Sequence, residues 1–304
     1  MTSHSKQIAV DMSPFFRLFS DGTIERLPPP ETVPASDDPN SAVRSKDVVI
    51  DEKTGVSVRI YAPRRGDPPQ KLPVVVYIHG GAFCIGSTST PVFHSFIAGV
   101  VERANVIAVS IDYRLAPETP LPAAYDDSWT AFQWIAAHAA GKGSDPWLND
   151  RADFQRLFLG GESAGANIAH DVALRASDSS AGGGVELIGV FLVHPFFGGK
   201  VEDKLYKFLC PNSTARDDDP RLNPAADPRI GKLRARRVMF FVAEEDFLAA
   251  NAANYCERLK KSEWRGEAEI METKGEGHCF YLFNPNGEKA VAVTARLVAF
   301  LKTP

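Results

Sequence analysis

Ser163 sits between glycines in GGESAG (160–165), where an apolar run, FQRLFL (154–159), hands over to a helix-like stretch, ANIAHDVALRA (166–176). A serine hydroxyl attacks an acyl carbon only when a base takes its proton. A histidine can do this near neutral pH, and a carboxylate can fix the tautomer of its ring. Both residue types follow later strand-like runs. EED (Glu244 to Asp246) follows RRVMFFVA (236–243), and GEGH (Gly275 to His278) follows EAEIMETK (267–274). A glycine turn, HGGAF (79–83), closes a third run, PVVVYIH (73–79). The N–H groups of Gly80, Gly81 and Ala82, with that of Ala164 at a helix start, could receive the developing oxyanion; one such donor is worth on the order of 3 kcal/mol of barrier. The small Gly161 and Gly165 let strand and helix approach at the turn.

These residues need a scaffold that brings strand ends together. From about residue 46, strand and helix patterns alternate. VVID (48–51) and VSVRIYA (56–62) read as strands, and NVIAVSID (105–112) and VELIGVFLVH (185–194) as buried strands. PVFHSFIAGVVERA (91–104) has helical periodicity with proline at its first position. AAYDDSWTAFQWIAAHAA (123–140), about 250–261, and EKAVAVTARLVAFLK (288–302) also read as helices. The alternation predicts an α/β fold with a mostly parallel central sheet and helices on both faces. Ligands of such sheets bind at the carboxyl ends of the strands, which is where the serine, carboxylate, histidine and glycine turn all fall. Residues 1–45 differ. They hold a PPP run (28–30), the polar stretch ASDDPNSAVRS (35–45), and anchors at Phe15-Phe16 and Leu18-Phe19, and they read as an extended arm.

The chain order Ser163, Asp246, His278 is that of α/β-hydrolases, whose nucleophile elbow is G-x-S-x-G. Glu244 and Glu245 follow the same strand as Asp246 and compete with it for the acid's place. His79 reads as a residue that shapes the glycine turn, and His94, His138, His170 and His194 as structural. Asp112 and Arg114 read as a buried ion pair, and Asp126 and Asp127 as charges on an exposed helix face.

Several stretches resemble the plant carboxylesterase family, in the hormone-sensitive-lipase-like branch of the α/β-hydrolases. They are PVVVYIHGGAFCIGS (73–87), DYRLAPETPLPAAYDDS (112–128), GGESAGANIAH (160–170), HPFFGG (194–199), GHCFYLFNP (277–285) and PFFRLFSDGTIERL (14–27). The resemblance implies Ser163 as nucleophile, Asp246 as acid and His278 as base, with the glycine-turn N–H groups and Ala164 as oxyanion hole. It also implies a small cap over the site, from arm residues 1–45 and part of 195–235, on a core of 46–304. Phe15, Phe16, Phe19 and Phe83 are expected to line the substrate pocket. The expected substrate is a small-molecule carboxylic ester with a short acyl group. Related gibberellin receptors lack the histidine that GEGH keeps here. Hydroxyisoflavanone dehydratases share the fold and triad but catalyse elimination. Ala82 stands where the family has a third glycine, the elbow reads GESAGA, and the segment between HPFFGG and residue 236 is short; these departures bear on substrate preference.

Composition narrows the other classes. A formal net charge of −4 gives no pull toward nucleic acid, and Arg234-Ala-Arg-Arg237 reads as a solvated strand entry. No apolar stretch is long enough to span a bilayer, and the N-terminus shows no secretory pattern. Four cysteines without paired spacing suggest neither a zinc site nor a redox motif. The sequence thus leads one to expect a cytoplasmic protein, with the nucleus also open, that is a monomer or weak homodimer and needs no metal or organic cofactor.

Overall fold

The N-terminal arm, expected to be extended, folds into a small antiparallel sheet. Its strands are β1 (Ile8–Met12), β2 (Phe16–Phe19) and β3 (Ile24–Arg26), with β2 in the middle. The computed structural model describes residues 7–64, 71–178, 186–198, 204–213 and 219–303. The first six residues of the arm therefore lie outside the described residues, as do 199–203 and 214–218 of the expected cap segment.

The main sheet is built from β4 (Val43–Asp51), β5 (Val56–Pro63), β6 (Leu72–Ile78), β7 (Ile107–Asp112), β8 (Ala152–Glu162), β9 (Leu187–Val193), β10 (Ala235–Ala243) and β11 (Glu267–Thr273). Their spatial order is β11-β10-β9-β8-β6-β7-β5-β4. β5 pairs antiparallel with β4 and β7, and the other pairs are parallel. β4 begins at Val43, which pairs with Pro63, so the expected arm boundary at residue 45 falls inside a strand.

The central strands are apolar throughout because both faces are covered. Val74, Val76 and Ile78 of β6 enter one core, and Val75 and Tyr77 enter the other, as the two-residue strand period requires. Helices α2 (Ala123–Ala139), α4 (Ala164–Ala176) and α6 (Ala249–Lys261) cover the first face; α1 (Pro91–Ala104) and α8 (Glu288–Lys302) cover the second. α1 opens on Pro91 and stops where Asn105 turns left-handed at φ 55°. Three short helices had no expectation: α3 (Pro146–Arg151), α5 (Lys204–Leu209) and α7 (Phe280–Phe283). α3 is capped by Asp145, whose carboxylate accepts the N–H groups of Trp147 and Leu148.

The expected Asp112–Arg114 pair does not form. Arg114 binds Asp127 through Nε and Nη2, at 2.8 and 2.7 Å. Asp127 is therefore buried at 3% exposure instead of solvated, because its helix lies against the strand that delivers the arginine. Asp112 accepts the N–H of Thr88. Asp126 is exposed as expected and pairs with Arg175.

Candidate active site

β8 ends on Glu162 and α4 begins on Ala164, so Ser163 alone makes the turn, at φ 53° and ψ −121°. A non-glycine residue at positive φ stores roughly 1–3 kcal/mol of strain. The flanking glycines are obligatory in this packing. A Cβ on Gly165 would lie 2.0 Å from the Ile78 carbonyl oxygen, and one on Gly161 2.2 Å from that same atom. The Ser163 N–H donates to Val193 O, and Ser163 O accepts from Phe196 and Asn167. The serine is thus tied to β9 and to its own helix.

Asp246 follows β10, and His278 follows β11 by a longer turn. His278 Nδ1 donates to Asp246 Oδ2 at 2.7 Å, which leaves Nε2 to accept the Ser163 hydroxyl at 2.9 Å. Asp246 is buried and also accepts the Leu248 N–H. Burial raises its pKa, but the hydrogen bond and charge of His278 outweigh this, and the carboxyl is held below its ordinary value. Neither rival acid reaches the histidine in this way. Glu244 binds Lys274 and the Gly275 N–H; the Glu245 backbone N–H donates to Glu276 O. His194, expected to be structural, accepts the Cys279 N–H on Nδ1 at 2.7 Å. It thereby supports the turn just after His278. Burial, then the nearby His278, lowers its pKa to about 4, so it is neutral at physiological pH.

The glycine turn faces Ser163. Gly81 has φ 102°, and a Cβ there would strike the Ile85 carbonyl oxygen at 2.0 Å. Ala82 and Phe83 follow at φ 52° and 64°. Among the described residues no partner takes the N–H of Gly81 or Ala82. Gly80 departs from expectation. Its N–H is already donated to Glu162 Oε1 at 2.5 Å, so it is not free to receive an oxyanion. Glu162 is 1% exposed, and burial pushes its pKa up to about 7. His79 shapes the turn as expected: its Nδ1 donates to Gly80 O at 2.8 Å, and its ring stacks on Tyr113. Ala164 opens α4, where N–H groups lack intrahelical partners.

A cavity of about 400 Å³ opens over Ser163. Phe15 lines it, whereas Phe16, Phe19 and Phe83 do not. Phe16 is the next residue along and lies in the core, with its ring against Phe208 of α5. Phe19 stands at the far end of β2. Phe83 packs beneath the loop on Tyr125, Phe196 and Tyr206. The wall is instead completed by Ile85, Val92 and Phe93 near the glycine turn, Phe196 and Leu205 from the cap segment, and Phe247, Leu248, Leu282 and Phe283 beside the acid and the histidine. Sequence reasoning missed these, although Phe196, Phe247 and Phe283 all lie within a few residues of the motifs it used. The arm is held over the site by Arg26, which donates to Cys84 O at 2.8 Å and binds Glu118 through both Nη atoms.

His194, His278 and Cys279 place three potential ligand atoms within 4.8 Å of one another, but His278 spends both ring nitrogens on Asp246 and Ser163. No described helix is long and apolar enough to cross a membrane.

Residues 75–282 match a family described as alpha/beta hydrolase fold. Probable carboxylesterase 2 of Arabidopsis thaliana is 44% identical, over 99% of this chain and 98% of its own. 2-hydroxyisoflavanone dehydratase of Glycyrrhiza echinata is 37% identical, over 99% and 98% respectively. Among solved structures, a hyperthermophilic esterase from Pyrobaculum calidifontis superposes with a TM-score of 0.68 at 26% identity, covering 85% of each chain.

Proposed function

This chain belongs to the plant carboxylesterase family of α/β-hydrolases and is a carboxylic ester hydrolase, and we propose that Ser163, His278 and Asp246 carry its reaction on a small, neutral ester with a short acyl group. The supporting observation is the hydrogen-bonded line from Asp246 through His278 to the Ser163 hydroxyl, on a strained turn. His278 Nε2 takes the hydroxyl proton as Ser163 Oγ attacks the acyl carbon. The carbonyl oxygen becomes an oxyanion and is received by the N–H groups of Gly81, Ala82 and Ala164. Asp246 stabilises the imidazolium that forms. His278 then protonates the departing alcohol, which leaves an acyl group on Ser163. Water, deprotonated by His278, attacks this acyl-enzyme; the acid is released and the hydroxyl restored.

The test is labelling by a fluorophosphonate together with hydrolysis of p-nitrophenyl acetate, butyrate and octanoate. Wild type should label at Ser163 and turn over the shorter esters, and Ser163→Ala should do neither. An inert but folded wild type would overturn the reading. The 37%-identical dehydratase supports a second one, loss of water from a hydroxylated ring compound with His278 as base. That reading predicts turnover of such a compound that survives Ser163→Ala better than ester hydrolysis does.

A further inference from the structure

The wall of the cavity has two unlike halves. Six large apolar side chains are exposed among the described residues: Ile8, Val49, Phe247, Ile270, Phe283 and Val291. The two aromatic ones are also the most exposed, Phe247 at 80% and Phe283 at 75%, and both line the cavity. Exposed aromatic faces clustered at a cleft mark a binding surface. Phe247 directly follows Asp246, and its ring centroid lies 6.4 Å from that of His278. Phe283 lies on the short helix that follows His278. On the side of the glycine turn, by contrast, Phe93 is buried.

The chemistry orients the substrate against this asymmetry. The carbonyl oxygen must face the glycine turn. The departing oxygen must lie beside His278 Nε2, because that atom supplies its proton. The alcohol portion therefore extends over the His278 side, where Phe247 and Phe283 stand, and the acyl portion is left with the enclosed side. Among the described residues the wall carries no Lys or Arg, and its one carboxylate beyond the triad, Glu162, is occupied by Gly80. A charged alcohol would find no partner among them.

Resting on the esterase reading, we propose that Phe247 and Phe283 form the alcohol subsite, and that the preferred substrates are short-chain esters of neutral alcohols bearing a flat aromatic ring. The ring lies against the two exposed phenyl faces in offset or edge-on contact.

The experiment compares kcat/KM for 2-naphthylmethyl acetate and ethyl acetate. Both release alkoxides of similar basicity, so the ratio reports recognition of the ring and not leaving-group ability. Wild type should favour the naphthyl ester by about a hundredfold, and Phe247→Ala or Phe283→Ala should each lower the ratio about tenfold, mostly through KM. Phe247→Tyr should keep most of the ratio. The proposal is overturned if both alanine variants leave the ratio within about twofold of wild type, or if they depress both esters equally, which would make the rings supports for His278. Failure of the underlying esterase reading looks different: ethyl acetate hydrolysis would then be absent, or would persist in Ser163→Ala.

Discussion

The floor of the active site and its rim are held by different kinds of force. On the floor, Ser163, Asp246 and His278 stand after β8, β10 and β11, and backbone atoms set their places. Gly161 and Gly165 leave no room for a Cβ beside one carbonyl oxygen of β6, and Ser163 bonds to β9. At the rim, Phe15, Phe196, Leu205, Phe247 and Phe283 come from five separate segments and share the cavity that they line. Backbone constraints admit one or two residue types. Packing at a half-exposed edge admits many apolar types of similar volume. The proposed reacting groups are therefore fixed by the architecture, while on this proposal the choice of substrate is left to residues that can change without disturbing it.

The strongest way to sharpen this contrast is at the nucleophile. Ser163→Ala should lower kcat by roughly four to six orders of magnitude, with the circular dichroism spectrum and melting temperature near those of wild type. Next comes the turn itself. Gly165→Ala places a methyl on the Ile78 carbonyl and should destabilise the fold by more than about 4 kcal/mol, seen as lost soluble yield or a collapsed urea midpoint. Phe283→Ala should hold its midpoint within about 0.5 kcal/mol. Equal stability losses in these two variants would break the comparison.

A smaller effect is expected at Glu162, beneath the glycine turn. Its folded-state pKa, about 7, lies above the ordinary value of 4.5. Stability from the protonated carboxyl is therefore fully present below about pH 4.5 and lost as pH rises through about 7, a change on the order of 3 kcal/mol. Glu162→Gln keeps an acceptor for Gly80 and removes the titration. Its stability, followed by urea unfolding from pH 5 to 8, should decline less with pH than that of wild type; parallel declines would refute this. The smallest effect belongs to the rim. Arg26→Ala frees the arm from Cys84 and Glu118 and should raise KM about fivefold, the scale of one partly exposed ion pair and one charge-assisted hydrogen bond. A comparable fall in kcat would mean that the arm also positions the triad.

The same division explains what could be read from the sequence. α1 and α8 occupy 91–104 and 288–302 as their periodicity predicts, because a long amphipathic pattern carries its own signal. GGESAG announced the turn because few residues tolerate Gly161 and Gly165, and GEGH announced the histidine by its place after the last strand-like run. The small arm sheet was not legible, since strands of three to five residues show too little alternation. Phe16 and Phe83 were expected in the pocket on the family resemblance, yet neighbouring residues on a strand point to opposite faces, and the turn at 83 directs its ring into the core. The engagement of Gly80 by Glu162 joins residues 82 positions apart and leaves no local trace. Asp127 was misread for a related reason: its partner, Arg114, lies on a different element.

The two glycines against Ile78 also govern how the enzyme comes into being and how it fails. Ser163 holds its turn where β6, β8 and α4 meet, so the geometry of the proposed nucleophile depends on the pairing of two central strands. The rim has no such tie. On heating, the arm should detach before the sheet opens, and KM should rise as the wall loses Phe15 while hydrolysis continues. Between those two temperatures the protein would be an intact catalyst with a weakened hold on its substrate.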